Sequence, residues 1–153
     1  MDYLLGASLA GLAALLLSIP AIVVELADRK HKINLPLLVD IRQIFGRKIT
    51  HTEMFWIALL IHLLLGTLFG LVYQVFIGQG WIEPYTLFSM LIFAVLFWLV
   101  VGAVLFPIIG FGIFAVKEGR WVWLEVLITY LLIGAIMLLG IDWFRPFFFQ
   151  LPV

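Results

Sequence analysis

Four long runs of apolar residues, almost free of charge, divide the chain along its length. Each run exceeds the roughly 18 apolar residues that cross a bilayer as a helix. The runs are continuously apolar rather than alternating, which favours membrane helices over membrane strands. We therefore predict an all-α integral membrane four-helix bundle. It forms a single transmembrane domain over residues 1–153, with spans at about 3–25, 54–77, 85–107 and 121–141.

The third apolar run, residues 85–116, is longer than one crossing needs. As a straight helix its 32 residues would extend about 48 Å, whereas the hydrocarbon core is about 30 Å thick. Pro107 removes a backbone donor within this run, and Gly110 and Gly112 loosen the backbone after it. We predict that the helix kinks or breaks near Pro107. The extension to residue 116 then forms a tilted helix, an interfacial segment or a shallow re-entrant piece.

The connection between the first two spans contains a short amphipathic segment at residues 36–45. Its five leucine, isoleucine and phenylalanine residues fall at helical spacing on one side, while charged and amide residues occupy much of the other. Pro36 suits the first turn of a helix, and Gly46 suits the position just past its end. We predict a short amphipathic helix lying on the membrane surface in this loop. The alternative is a loop that only orients the protein in the membrane.

Composition supports the membrane class and removes several others. The chain is 65% apolar and 12% charged, whereas soluble domains are about 45–50% apolar and about 25% charged. Nine basic and nine acidic residues give zero net charge, so we expect no nucleic-acid partner. The lack of cysteine excludes disulfides and thiolate metal sites. No basic region follows Met1, so we expect the first run to be a retained span rather than a cleaved signal peptide.

The distribution of basic residues predicts how the chain is oriented. Eight of the nine lie in the connections 26–53 and 117–120, and only Arg145 lies beyond the last span. Because basic loops stay on the cytoplasmic side, both connections are predicted to be cytoplasmic. Both termini are then non-cytoplasmic. We expect a multi-pass protein of the cell inner (plasma) membrane, with its termini in the periplasm if the source is bacterial.

Small residues recur every fourth position in the first two spans. A four-residue spacing places such residues on one face of a helix, where they allow neighbouring helix backbones to approach closely within lipid. We expect this face to pack the helices of the bundle together. The predicted helix-packing residues are Gly6, Ala10, Ala14, Ser18, Gly66 and Gly70.

A few polar residues interrupt the spans. His62 and Gln74 share a stripe of the second span with the two glycines, and Glu125 and Tyr130 lie in the fourth span. A polar group in hydrocarbon is costly unless it is paired or reaches water. We predict that His62, Glu125, Tyr130 and Gln74 are candidates for binding a ligand or relaying a proton. Alternatively, His62 bonds to a neighbouring helix, and Glu125 reaches the interface beside Arg120 or Lys117.

Motifs for chemistry are scarce. No sequence motif of a hydrolase, metalloprotease or phosphate-binding loop is present, so we predict no catalytic residues and no metal site. Haem ligated through His62 is an alternative that the sequence disfavours, because a second histidine at matching depth is lacking. We therefore expect no cofactor, and an enzyme is the less favoured class.

A series of residues runs through the middle of the chain in a fixed order, namely Asp40, Gly46, His62, Gly66, Gly70, Tyr73, Gly102, Pro107 and Gly110. In this pattern, over about residues 36–140, the chain resembles the YagU-like bacterial inner-membrane proteins. The resemblance implies a small multi-span inner-membrane protein and supplies no catalytic residues. One position departs from it, since the resemblance implies a histidine in the last span, where this chain has Tyr130.

Three functions remain open from the sequence. The favoured one is a non-enzymatic accessory or scaffold subunit, whose partners are membrane lipids and other membrane subunits or further copies of the chain. The second is a small oligomeric transporter or channel that uses the Pro107/Gly110 break and His62. The third is a membrane-embedded lipid-modifying enzyme, supported by the amphipathic loop and a His62–Glu125 cluster.

Overall fold

The computed structural model describes residues 2–27, 43–44, 47–48, 51–117 and 119–148. This part of the chain is an all-α bundle, and the predicted fold class is confirmed. Four of its helical segments are long and apolar enough to cross a membrane, which makes the chain a small multi-pass membrane protein. These segments are Tyr3–Val23, Phe55–Gly78, Leu87–Ile109 and Val122–Phe144.

Five α-helices and several short elements make up the described chain. The helices are α1 (Asp2–Ala27), α2 (His51–Gly78), α3 (Leu87–Val100), α4 (Phe106–Ile109) and α5 (Val122–Phe148). A π-helix (Val101–Leu105) joins α3 to α4, and a 3₁₀ turn (Ile113–Ala115) follows. The third crossing is therefore a composite of α3, the π-helix and α4.

The predicted amphipathic helix over 36–45 is described only at its end. Gln43–Ile44 forms a two-residue strand, β1, that pairs antiparallel with β2 (Arg47–Lys48). These two residues are extended rather than helical, because their backbone groups find partners across a hairpin instead of along a helix. The other residues of the predicted helix lie outside the described residues.

The four crossings alternate in direction. Gly6 in α1 lies beside Gln74 late in α2, and Gly11 lies beside Thr67, so α1 and α2 are antiparallel. Likewise Met90 of α3 lies against Gly134 of α5. We call the end of the bundle at Ala27, His51, Ile109 and Val122 the basic end. The opposite end, where α1 starts and α5 finishes, is called the terminal end.

The helices do not contact one another equally. Helix α1 packs against α2 and α5, and α3 packs against α5. Between α2 and α3 the contacts are made by large rings: Phe69 lies edge-on to Phe93 and Phe97, with centroids 5.0 and 5.3 Å away, and stacks on Tyr130 of α5 at 5.8 Å. These rings are buried and form the centre of the core. Many leucines point outward, as expected for a surface solvated by lipid.

The third crossing ends at Gly110, one of the predicted break residues, three residues after Pro107. Pro107 lies in the first turn of α4, where a missing backbone donor is tolerated. The preceding π-helix contains Ala103, the residue whose carbonyl a proline at 107 would otherwise crowd. Its wider turn is marked by the bond from the Phe106 N–H to the Val101 carbonyl. Helical backbone therefore continues through the proline.

Gly110 terminates α4 by a local hydrogen-bond pattern. Its φ of 102° is left-handed, a conformation that favours glycine. The Gly110 N–H donates to the Pro107 carbonyl, and the Phe111 N–H donates to the Phe106 carbonyl at 2.9 Å. The Phe106 and Phe111 rings lie 6.0 Å apart. This is a Schellman ending with its usual apolar contact.

Candidate functional sites

The predicted packing residues of α1 and α2 form one seam of backbone contact. A Cβ added at Gly70 would collide with the Gly6 carbonyl and lie 2.6 Å from the Ala10 Cβ. One added at Gly66 would lie 2.5 Å from the Ala14 Cβ. Glycine at positions 66 and 70, with small residues opposite, permits this approach. The structure therefore brings these five residues together, and we call this surface the α1–α2 seam.

His62 lies at the seam and bonds to the backbone of α1. Its Nε2 is 3.2 Å from the Ala14 carbonyl oxygen. A carbonyl only accepts hydrogen bonds, so Nε2 carries the hydrogen and is not free to ligate a metal. The same carbonyl accepts a bond of 2.8 Å from the buried Ser18 hydroxyl. In the described structure, His62 links α2 to α1 through this hydrogen bond.

Glu125 and Tyr130 do not join His62. Among the residues that the structure describes, no hydrogen bond or ion pair links the Glu125 carboxylate to His62 or Tyr130. The hydroxyl of Thr129 donates to the backbone carbonyl of Glu125, 2.8 Å away on the same helix. The Tyr130 ring is held between Phe69 and Phe97. The geometry thus offers no hydrogen-bonded unit of these three residues.

Polar side chains are instead brought together at the terminal end, where α2 meets the start of α3. The Tyr85 hydroxyl donates to Gln74 Oε1 at 3.1 Å, and the Tyr73 hydroxyl lies 3.1 Å from Ser89 Oγ. Thr86 caps α3, because its side chain accepts from the Ser89 N–H. We call these five residues the terminal polar cluster. Of them only Gln74 was predicted as a site residue.

Two sequence signals could have identified more of the terminal polar cluster. Thr86 follows Pro84 at the start of an apolar run, which is a helix-start signal. Tyr73 adjoins Gln74, and both come one turn before the polar connection at residues 79–86. The sequence does not show how close in space the end of the second span lies to the beginning of the third.

Only one of the two polar atoms of the Gln74 side chain has a hydrogen-bond partner among the described residues. Its side chain is 3% exposed, and its Nε2 has no hydrogen-bond partner among the described residues. A Cβ added at Gly6 would lie 2.8 Å from that nitrogen, so the glycine makes room for the amide. A buried donor without a partner costs about 1–3 kcal/mol. Such atoms are uncommon in folded proteins, and they indicate either local strain or a role beyond packing.

The chain folds back on itself after Gly110, at the basic end. The Phe114 ring rests on Gly102 of the π-helix, in a space that a Cβ there would fill, and lies 4.7 Å from the Trp98 ring. Phe114 and Ala115 have φ of 53° and 57°, which is strained for residues other than glycine. The extension to residue 116 is therefore a compact turn that folds back on the helix, and its depth in the membrane stays a prediction. Gly112, also predicted here, has φ of 77°.

Three further bonds lie in and around this fold-back segment. Trp98 Nε1 donates to the Trp123 carbonyl at 2.9 Å, which ties α3 to the start of α5. The Lys117 N–H donates to the Phe111 carbonyl at 3.2 Å, and its Nζ donates to the Gly110 carbonyl at 3.3 Å. The exposed Lys117 ammonium is thereby held close to the end of α4.

An apolar groove of about 460 Å³ separates α2 from the third crossing. It exists because these two helices are spaced by rings rather than joined by small residues. All of its lining residues are apolar, and the π-helix forms part of one wall. We call it the α2–α3 groove. Its walls include Leu65, Leu68 and Val72 on α2, and Val101, Val104 and Ile108 opposite.

The described part of the chain contains no group of three or more histidine, aspartate or glutamate side chains placed to hold a metal ion. No known family model, curated protein or solved structure matches the chain.

Proposed function

We propose that this chain is a non-enzymatic accessory or scaffold subunit of the membrane, which assembles with other membrane proteins or with further copies of itself. One observation carries the proposal: outside the terminal polar cluster, the hydrogen-bonded polar side chains of the described spans bond to helix backbone and not to one another. Ser18, His62 and Thr129 each bond to a backbone carbonyl. The bond of His62 joins two helices, whereas those of Ser18 and Thr129 close within their own helices. Polar groups satisfied in this way leave little to line an aqueous path or to perform chemistry.

The proposed location is the inner (plasma) membrane, with the basic end in the cytoplasm. Support comes from Lys117 and Arg120, which are exposed at that end, and from the basic residues of the connection 26–53. Both termini would then lie on the non-cytoplasmic side. Reporter fusions at residues 1 and 153 test this orientation, and activity of a cytoplasm-only reporter at either terminus contradicts it.

Assembly is tested by cross-linking in intact membranes, followed by native mass spectrometry from mild detergent. The expected result is a species heavier than the 17.4 kDa monomer, with one defined composition and near-stoichiometric yield. Recovery of monomer alone at native expression levels contradicts the proposal. Leu71→Trp and Leu139→Trp, at exposed positions on different helices, locate the contact surface if one of them dissociates the complex.

A transporter or channel is the second candidate, and the composite third crossing is the observation that favours it. Its π-helix and the fold-back segment place irregular backbone at membrane depth, an arrangement that transporters use around binding sites. Solute flux into proteoliposomes that is lost on Gly110→Ala or His62→Ala would establish this function. Flux no greater than that of protein-free vesicles would leave the subunit proposal standing.

A further inference from the structure

The α2–α3 groove opens sideways, toward the surrounding lipid. Leu68 is 42% exposed on one wall, and Val104 of the π-helix is 53% exposed on the other. π-Helices occur mostly as single wide turns inside α-helices and are frequent at functional sites, so the position of this one in the groove wall is informative. The groove runs on to Ile108 in α4, which lies near the basic end.

The size of the groove suits one hydrocarbon chain and excludes a seated helix. Its α2 wall extends from Leu65 to Phe76, which is about 16 Å of helix. A volume of 460 Å³ over that length gives a cross-section of about 28 Å². A helix with its side chains is about 10 Å wide, or about 80 Å² in section. A single extended row of methylene groups is therefore the better fit.

Positive charge lies where such a chain would meet the membrane surface. The exposed Lys117 ammonium is 3.3 Å from the carbonyl of Gly110, two residues beyond Ile108 of the groove wall. Arg120 is exposed in the same connection, with its guanidinium 5.9 Å from the Trp121 ring centroid. Residues 117–120 hold two basic residues and one acidic residue, a net charge of +1. Glu125 lies on α5, which forms no wall of the groove.

We infer that the α2–α3 groove binds one acyl chain of an anionic phospholipid, whose phosphate lies at Lys117 on the basic side of the membrane. All hydrocarbon chains are equally apolar, so affinity for this lipid comes from shape and charge rather than from the hydrophobic effect. A single cation near the surface favours an anionic headgroup by about fivefold. The site does not depend on the assembly proposed above.

The test is native mass spectrometry of the full chain in mild detergent, with equal amounts of phosphatidylglycerol and phosphatidylcholine of the same chain length. One retained lipid is expected, with phosphatidylglycerol preferred by about fivefold.

Leu68→Trp fills the groove and should reduce retention by about tenfold. Leu71→Trp is the matched control, because Leu71 is 40% exposed on the same helix and lines no part of the groove. Lys117→Gln should remove the headgroup preference but keep retention of a lipid.

Equal retention by Leu68→Trp and Leu71→Trp would overturn the site. So would loss of a dimer peak in Leu68→Trp without loss of lipid, because a second copy would then be the occupant. An unchanged headgroup preference in Lys117→Gln would overturn the assignment of the phosphate. If Leu68→Trp does not fold, Val104→Phe with Val95→Phe as its control tests the opposite wall, since Val95 is exposed outside the groove.

Discussion

Helix α2 contacts its two neighbours in opposite ways. On one side Gly66 and Gly70 let its backbone touch that of α1, with the Gly6 carbonyl in direct contact. On the other side Phe69 and Val72 face the third crossing across rings and an apolar groove. Small residues thus give a seam that tolerates no added atom, whereas large residues leave space between helices. Both arrangements are stable in lipid, but only the second leaves room for another molecule.

The polar side chains do not follow this division. At the α1–α2 seam, the Ala14 carbonyl accepts a bond from His62, which links α2 to α1, and a bond from Ser18 within α1 itself. In the terminal polar cluster, which joins α2 to the start of α3, Gln74 Nε2 has no partner among the described residues and lies against Gly6 of α1. The division is therefore one of packing: the seam is closely packed, and the groove between α2 and the third crossing is the part where packing is incomplete. The predictions below test that division.

The largest expected effect is at the centre of the seam. Gly70→Ala places a methyl group against the Gly6 carbonyl, which is backbone and cannot move aside. We expect a loss of about 3 kcal/mol in the free energy of unfolding, from overpacking. Gly140→Ala is the control, because its new methyl meets only the tip of the Leu9 side chain. Unfolding by denaturing detergent should leave this control within about 1 kcal/mol of the unchanged chain.

Gly110→Ala tests the end of the third crossing. A Cβ at this position would meet no neighbouring atom, but the backbone φ is 102°. The substitution therefore costs free energy because alanine disfavours this backbone conformation, and not because neighbouring side chains crowd it. We expect about 1–2 kcal/mol of destabilisation. Gly110→Asn should lose less, because asparagine tolerates left-handed backbone. Equal stability of all three proteins, measured by thermal unfolding in detergent, would show that α4 does not end in the Schellman geometry.

His62→Ala should have a smaller effect. It removes one interhelical hydrogen bond while the Ala14 carbonyl keeps the bond from Ser18, so we expect a loss of about 1 kcal/mol. Tyr130→Phe should change the free energy of unfolding by less than about 0.5 kcal/mol, since no described residue bonds to its hydroxyl. A larger loss of unfolding free energy in Tyr130→Phe than in His62→Ala would contradict this geometry and support the predicted cluster of His62, Glu125 and Tyr130.

Gln74→Leu should have the smallest effect. The substitution removes the buried Nε2 that lacks a partner, which offsets the loss of the bond from Tyr85. We expect stability within about 0.5 kcal/mol of the unchanged chain, measured in the same detergent titration. A loss of about 2 kcal/mol would mean that Gln74 Nε2 is satisfied in the membrane by a group outside the described residues.

The sequence predicted those features of the fold that depend only on the order of apolar and polar residues along the chain. Span number and approximate limits follow from hydropathy, because each crossing needs a continuous apolar stretch of known length. The sequence predicts a kink or break near Pro107, and helical backbone ends three residues later, at Gly110. The proline does not end the helix because the π-helix before it accommodates its ring, and no pattern in the sequence predicts that π-helix. The glycine itself was among the predicted break residues.

Side-chain pairing could not be predicted in the same way. His62 and Glu125 were grouped by similar depth, but depth does not fix the rotation of a helix about its axis. That rotation turns His62 to the Ala14 carbonyl on α1. The terminal polar cluster joins residues from both ends of a short connection, and its geometry depends on how α2 and α3 are spaced. Orientation in the membrane, partners and the resemblance to YagU-like proteins stay predictions.

The α1–α2 seam is tested most directly by a disulfide, because the chain has no cysteine of its own. A Cβ at Gly11 would lie 3.7 Å from the Cβ of Thr67, which is the separation that a disulfide requires. With Gly11→Cys and Thr67→Cys in one chain, oxidation in intact membranes should give nearly complete intramolecular cross-linking. Failure to form that bond, or formation only between separate chains, would contradict the antiparallel seam on which the account rests.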